Sequence, residues 1–242
     1  LINFDGFSDV AINTDLTKSG LASEITNFLA DLTKRVLEKK KAILITLGGE
    51  TSYKCCNAID ANQLQLIDEV LPAIIEKGID CIEFHAISTD EKDVMDKWLQ
   101  INDYFDGMLC ISIDRSELGD RKLKERVKKM LGIRKPYTTI IQADGIAMSG
   151  SDDEFGTTLQ AVATAQLFQN AQMPAYIMMS GGTNTKSIEL ASMCNVYPHC
   201  LAVGSYARKI VKEFLMADDL FTNSEKMNQA VSIAKSLVDV II

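Results

Sequence analysis

Short apolar runs alternate along the chain with longer segments in which apolar residues recur three and four positions apart. A short run bounded by turn residues is typical of a buried strand, and the longer spacing is typical of an amphipathic helix. The pattern predicts seven strands, at Asp9–Asn13, Ala42–Leu47, Ile79–His85, Gly107–Ile113, Tyr137–Gln142, Ala175–Ser180 and Cys200–Val203.

The intervals between these strands contain predicted helices, each with a stripe of apolar residues along one face. One helix is expected to start at Ser88, because Glu91 three residues later completes the pattern of a capping box. The clearest later stripes are Leu123, Val127, Met130 and Leu131, then Leu159, Val162 and Gln166, and finally Met227, Ala230, Val231, Ala234 and Leu237. Strand and helix therefore alternate from end to end.

This alternation predicts an α/β fold with a parallel sheet, either a (β/α)8 TIM barrel or a doubly wound open sheet. We favour the barrel, which needs eight strands. If the last two strands are the seventh and eighth, the first is expected upstream of Leu1. No Pro-, Gly- or Ser-rich linker interrupts the pattern, so residues 1–242 are predicted to form a single barrel-like domain.

Composition narrows the class of protein. The 242 residues carry a net charge of −8, which argues against a nucleic-acid surface, and no apolar run is long enough for a membrane span. The six cysteines lack a CxxC motif and predict reduced thiols. Without a signal-peptide pattern, the expected location is the cytoplasm, or the plastid stroma in a photosynthetic eukaryote. No metal site is expected.

Glycines and polar residues follow the last two predicted strands. Glycine lets the backbone approach a ligand closely, and free N–H groups at helix starts attract anions. The sequence therefore predicts a phosphate-type anion site made by Gly181, Gly182, Thr183, Asn184, Gly204, Ser205 and Arg208. The alternative is a tight turn at the glycines with Asn184 as a helix cap.

The longest connection between a strand and a helix runs from Ala143 to Glu154 and contains two glycines and four acids. Such long loops tend to be functional. Asp144 at the strand end is a candidate for binding a polar ligand, and Ser149 and Gly150 join the candidate anion-binding residues.

Glu83 and His85 are two residues apart on one predicted strand and therefore share a face. A carboxylate beside an imidazole can act as an acid–base unit, or it can be a buried hydrogen-bonded pair. We predict that His85 and Asp144 line the barrel mouth and that Glu83 orients His85 from beneath. His199, at a strand start, is interpreted as structural.

Four ordered motifs resemble one known family. They are Gln142-Ala143-Asp144-Gly145-Ile146-Ala147-Met148-Ser149-Gly150, Gly156-Thr157-Thr158, Ser180-Gly181-Gly182-Thr183-Asn184 and Gly204-Ser205-Tyr206-Ala207-Arg208-Lys209. The series is similar to the C-terminal domain of the light-dependent period protein (LdpA) family. Asp80-Cys81-Ile82-Glu83-Phe84-His85 resembles a further strand of that family. The resemblance covers roughly residues 60 to 216.

The resemblance implies iron–sulfur clusters and redox-dependent input to a circadian clock. The family's cluster-bearing insert would fall between Gly48 and Ile59, where Cys55 and Cys56 are the only cysteines. Since a [4Fe–4S] cluster needs four thiolates, the insert and its cofactor are expected to be absent.

Two classes of function stay open. The first is a regulatory barrel that senses a small phosphorylated or anionic metabolite, linked to redox signalling and with room for a protein partner. The second is a barrel enzyme of lyase, isomerase or oxidoreductase type, which would use Glu83, His85 and Asp144 on a phosphorylated substrate.

Overall fold

A computed structural model describes residues 44–47, 72, 75–76, 79–146, 154–217, 219–220 and 222–238. The strands in this part of the chain are β1 (Leu44–Leu47), β2 (Cys81–His85), β3 (Met108–Ile113), β4 (Thr139–Asp144), β5 (Tyr176–Ser180) and β6 (Cys200–Leu201). The helices are α1 (Glu91–Tyr104), α2 (Asp120–Leu131), α3 (Glu154–Ala171), α4 (Ser187–Met193), α5 (Ser205–Ile210), α6 (Lys212–Leu215) and α7 (Ser224–Val238). Six of the seven predicted strands are thereby confirmed, and the seventh, Asp9–Asn13, lies outside the described residues.

The chain divides into two compact units, one of residues 1–113 and 117–140 and the other of residues 114–116 and 141–242. In the first unit, β1, β2 and β3 are neighbours and run parallel, with Ile45 opposite Ile82 and Glu83 opposite Cys110. Parallel neighbours require a crossover between them, and α1 supplies the crossover from β2 to β3.

The core of the first unit forms between the strands and the helices that follow them. The ring of Phe84 on β2 lies 5.9 Å from that of Trp98 on α1. Trp98 is fully buried, and its indole N–H donates a 3.0 Å hydrogen bond to the carbonyl of Met130 on α2. The predicted α2 stripe is confirmed, because Leu123, Val127, Met130 and Leu131 are all buried.

Residues 141–144 of β4 lie in the second unit, where β4, β5 and β6 are neighbours in that order, and β5 and β6 run parallel. The ladder continues past β6, where the Ala202 N–H donates to the Met179 carbonyl at 2.9 Å.

The predicted stripe of α3 is wrong in phase. Val162 is buried, but Leu159 is 47% exposed and Gln166 lies on the surface. The helix begins at Glu154, and its buried face contains Thr158, Ala161, Val162, Ala165 and Phe168.

The predicted capping box at Ser88 is also wrong. α1 begins at Glu91, and its N-cap is Asp90, whose carboxylate accepts a hydrogen bond from the N–H of Asp93. Aspartate is as good an N-cap as serine. The Ser88 hydroxyl accepts from the Asp90 N–H instead, and the Glu91 carboxylate binds cationic side chains of α2.

The chain thus has an α/β fold with parallel strands, as predicted. Among its described helices, none combines the length and apolar character that crossing a bilayer requires. The eight-stranded barrel and the single domain stay predictions.

Candidate functional site

Glu83 and His85 form a close buried pair on β2. Nε2 of His85 lies 3.3 Å from Oε1 of Glu83, and the side chains are 7% and 1% exposed. Alternation along the strand puts both on the face opposite Phe84, which packs against α1. The pair therefore lies on the sheet face that points away from α1.

Two further polar side chains lie on this face, and the sequence analysis did not select them. In the parallel register of β2 and β3, Glu83 is opposite Cys110 and His85 is opposite Ser112. Both β3 residues are buried. The signal was present in the sequence, because Cys110 and Ser112 alternate with Leu109, Ile111 and Ile113.

Cys81, two residues before Glu83, shares the same face. Burial raises the pKa of its thiol to about 12, and the nearby negative charges of Glu83 and Asp80 act in the same direction. The thiol is therefore protonated at neutral pH, and it is a poor nucleophile.

The loop that follows His85 is fixed by a buried guanidinium. Arg126 on α2 is 1% exposed and donates to the carbonyls of Ala86 and Ser88 at 2.8 and 2.7 Å. Its Nε also donates to the Glu91 carboxylate at 2.7 Å. Burial alone would raise the pKa of Glu91, but hydrogen bonds and charges from Arg126 and Lys129 lower it overall.

Asp144 ends β4 and is 2% exposed. The Gln142 side chain, two residues earlier on the same face, donates to its Oδ1 at 3.2 Å. Asp144 belongs to the second unit, whereas Glu83 and His85 belong to the first. The prediction that Asp144 and His85 line one mouth therefore stays a prediction.

In the second unit, three motifs pack together in one cluster: Gly145 after β4, the glycine turn after β5, and Thr157 at the start of α3. Gly181 and Gly182 both have left-handed backbones, with φ of 69° and 70°. A Cβ on Gly182 would lie 2.3 Å from Cγ2 of Thr157, and a Cβ on Gly145 would lie 2.3 Å from the Thr157 carbonyl oxygen. The start of α3 thus packs directly on the glycine turn. Thr157 and Thr158 were part of a family motif in the sequence, but they were not predicted as site residues.

Polar side chains complete this cluster. The Thr158 hydroxyl donates to the Gly182 carbonyl at 2.6 Å and accepts from the Asn184 amide at 3.2 Å. Asn184 also accepts from the Lys186 N–H at 2.8 Å, so it closes a turn before α4, whose N-cap is Lys186.

The loops after β5 and β6 touch each other. The Thr183 hydroxyl donates to the Ala202 carbonyl. Two residues further, a Cβ on Gly204 would meet no atom of the described residues within 4 Å. The two loops are therefore joined beside an open position at the end of β6.

The remaining predicted anion-site residues fall into two groups. Ser205 and Arg208 belong to α5, which directly follows Gly204. Ser149 and Gly150 lie outside the described residues.

The cysteines bear on the iron–sulfur cluster that the resemblance implies. The ligands of such a cluster are cysteine thiolates that converge on one point. Cys110 is buried on β3, and Cys194 is exposed in the second unit. Across the described residues, no group of three or more His, Cys, Asp or Glu side chains could hold a metal ion. The four cysteines of the described residues do not fit a cluster.

Parallel strands that alternate with helices, with polar groups at the strand ends, define this chain as an α/β protein. The fold is similar to that of the protein named for copper homeostasis, CutC, from Streptococcus agalactiae, with a TM-score of 0.50 and 12% identity over 73% of this chain and 79% of that one. Dihydrodipicolinate synthase from Oceanobacillus iheyensis gives a TM-score of 0.45 and 14% identity over 90% of this chain and 61% of that one. CutC is a TIM-barrel protein.

The family is shown by sequence. The model of the light dependent period A C-terminal domain matches residues 73–240, and the chain belongs to that family. It is 28% identical over 186 residues to light dependent period A of Synechococcus elongatus, a match that covers 70% of this chain and 51% of the relative. The resemblance seen in the sequence is confirmed, and the chain matches only about half of that relative's length.

A second family model, the nucleotide-binding C-terminal domain, matches residues 2–83. Most of this segment lies outside the described residues.

Proposed function

We propose that this chain is a regulatory barrel protein that binds a small phosphorylated or anionic metabolite at the carboxyl ends of its parallel strands. The proposed architecture is a (β/α)8 barrel, and the proposed location is the cytoplasm or a plastid stroma. Family membership supports the regulatory class, and the similarity to CutC supports the barrel.

The observation that carries the proposal is the junction of two glycine loops in the second unit. Thr183 joins the loop after β5 to the loop after β6, and the position beside it at Gly204 is open. In TIM barrels, the loops after strands seven and eight frequently bind phosphate. The match to a nucleotide-binding family, although it lies elsewhere in the chain, adds nucleotides to the ligands worth testing.

The experiment is a thermal shift titration with inorganic phosphate and with adenosine nucleotides. A ligand at a hundred times its dissociation constant should stabilise the fold by about 2.7 kcal/mol. Gly204→Asp should abolish this stabilisation without lowering the ligand-free melting temperature, because the new side chain enters open space and repels an anion.

The matched control is Gly119→Asp. Gly119 is likewise open and is the N-cap of α2, where aspartate is favoured. This variant should bind as the parent does. If phosphate and nucleotides leave the melting temperature unchanged at millimolar concentration, or if both variants lose binding equally, the proposed anion site is wrong.

The buried pair of Glu83 and His85 favours a second candidate, an enzyme of lyase, isomerase or oxidoreductase type. The 3.3 Å separation places the carboxylate beside the imidazole, as an acid–base pair requires. This candidate predicts that the chain catalyses deuterium exchange at a carbon next to the carbonyl of a phosphorylated sugar in D2O. Glu83→Gln should slow the exchange, and absence of exchange in the parent would favour the binding role.

A further inference from the structure

Two polar side chains lie next to each other at the carboxyl ends of β4 and β5. The Gly145 N–H donates to the Ser180 carbonyl at 3.1 Å. The same kind of bond joins the ends of β2 and β3, and there the residue before the donor is opposite the residue that accepts. Because this pattern fixes the register of a parallel pair, Asp144 lies opposite Ser180, and the two side chains share one face of the sheet.

The shared face is polar at the end of β4, whereas the other face of this strand is apolar. Ile141 and Ala143, on the other face, are fully buried. Gln142 is on the same face as Asp144, and its side-chain amide donates to Oδ1 of Asp144 at 3.2 Å. The amide orients the carboxylate at the strand end. A carboxylate has about four acceptor sites, so it can accept from several donors at once.

Ser180 adds a hydroxyl to this carboxylate. The residue is 7% exposed, and its hydroxyl forms no hydrogen bond with another described residue. A buried hydroxyl without a partner is costly unless a bound molecule supplies one. Since a hydroxyl both donates and accepts, Ser180 offers a ligand a donor and an acceptor beside the carboxylate, which only accepts.

The pair of Asp144 and Ser180 adjoins the loops for which we propose anion binding. Ser180 is followed directly by the glycine turn, and the Thr183 hydroxyl donates to the Ala202 carbonyl in the loop after β6. Neighbouring strands are about 4.8 Å apart, so an anion between the loops after β5 and β6 would lie about 7 Å from the end of β4. A second anionic group on the ligand would be repelled by the Asp144 carboxylate, whereas hydroxyl groups would donate to it.

We propose that Asp144 and Ser180 bind two neighbouring hydroxyl groups of a sugar phosphate, whose phosphate group occupies the proposed anion site. This inference rests on the proposed function and specifies its ligand class. The Asp144 carboxylate accepts from one hydroxyl, and the Ser180 hydroxyl bonds to the next. A pentose 5-phosphate is long enough to reach from the loops to the end of β4. In the dinucleotide sites of parallel α/β sheets, an acidic side chain binds a ribose hydroxyl in the same way.

The test is isothermal titration calorimetry of the full chain with four probes. They are inorganic phosphate, ribose 5-phosphate, 2-deoxyribose 5-phosphate and phosphoethanolamine. The parent should bind ribose 5-phosphate at least about tenfold more tightly than each of the others, because only its ring offers two neighbouring hydroxyls. Phosphoethanolamine tests the alternative that the carboxylate recognises an amine.

Two variants test the residues through the ratio of the dissociation constants of 2-deoxyribose 5-phosphate and ribose 5-phosphate. Ser180→Ala and Asp144→Asn should each lower this ratio by at least about fivefold, because each removes or weakens a hydrogen bond to a hydroxyl. The matched controls are Ser236→Ala and Asp219→Asn, which make the same changes at more exposed residues of the same unit and should keep the ratio of the parent. Melting temperatures within a few degrees of the parent will show that the variants are folded, and Ser180→Ala decides alone if Asp144→Asn is not.

The outcomes separate this inference from the proposed function. If the parent binds inorganic phosphate but does not distinguish ribose 5-phosphate from 2-deoxyribose 5-phosphate, the anion site stands and the sugar site is wrong. Tighter binding of phosphoethanolamine than of ribose 5-phosphate would also overturn the sugar site, as would a preference for ribose that survives in the folded variants. If none of the four probes binds, the anion site and the sugar site are both wrong.

Discussion

The hydroxyl of Thr158 donates a 2.6 Å hydrogen bond to the carbonyl of Gly182, across 24 residues of sequence. This bond ties the first turns of α3 to the glycine turn after β5. Together the two residues fix the loop that we propose for anion binding.

Gly182→Ala should destabilise the fold by about 3 kcal/mol. Its Cβ would overlap the Thr157 side chain, and the left-handed backbone adds strain for any L-residue. Urea unfolding measures the change. Gly204→Ala is the control, because its Cβ meets no described atom within 4 Å, and it should cost only about 1 kcal/mol, the loss of a glycine N-cap. Equal stability of the two variants would contradict the packing described.

Thr158→Val should cost about 1–3 kcal/mol, since it leaves the Gly182 carbonyl and the Asn184 amide without the hydroxyl that bonds to both. Thr222→Val is the matched control, because that hydroxyl bonds to the Asp219 carbonyl in an exposed position. Chemical denaturation of both variants compares them. A smaller loss at Thr158 than at Thr222 would show that the buried bonds do not contribute.

Arg126→Met should lower the free energy of unfolding by about 3 kcal/mol at neutral pH, because two backbone carbonyls lose their donor. Because the pKa of Glu91 is lowered in the folded chain, the contribution of its pair with Arg126 to the free energy of unfolding depends on pH. In the parent, this contribution is present above pH 4.5 and is lost as the pH falls through the lower folded value.

The variant should therefore lose less stability on acidification than the parent does. Arg121→Met, at an 82% exposed residue of the same helix, should change stability by less than about 1 kcal/mol at any pH. An acid transition that is the same in the parent and in Arg126→Met would refute the assignment.

Cys81 should make the fold sensitive to alkali. Its thiol ionises near pH 9.0 when unfolded, but burial raises the folded pKa to about 12. Between these values only the unfolded chain releases the proton, so stability falls as the pH rises, by up to about 1.4 kcal/mol per unit.

Between pH 8 and 11, the free energy of unfolding should decrease less steeply with pH in Cys81→Ala than in the parent. In Cys194→Ala, which removes an exposed thiol, it should decrease as steeply as in the parent. Iodoacetamide at pH 8 should likewise modify Cys194 well before Cys81. Rapid modification of native Cys81 would show that the thiol is not protected.

Local pattern was enough for most of the elements. Short apolar runs located the described strands to within two residues at either end, because buried parallel strands are predominantly apolar. The start of α1 was misplaced because Ser88 and Asp90 are both good caps. In the folded chain, Glu91 binds Arg126, a residue 35 positions away, and this contact cannot be read from the local pattern.

For the candidate site too, some features follow from the local sequence and others only from the folded structure. The residue pattern was sufficient for the family, the parallel α/β class, the Glu83 and His85 pair, and the glycine turn, because each rests on residues that are close in the chain. Folding was needed to place Ser112 opposite His85, to pack Thr157 on Gly182 and to bring Arg126 to the loop after β2. These are contacts between distant segments, set by strand register and helix packing, and periodicity within one segment carries no information about them.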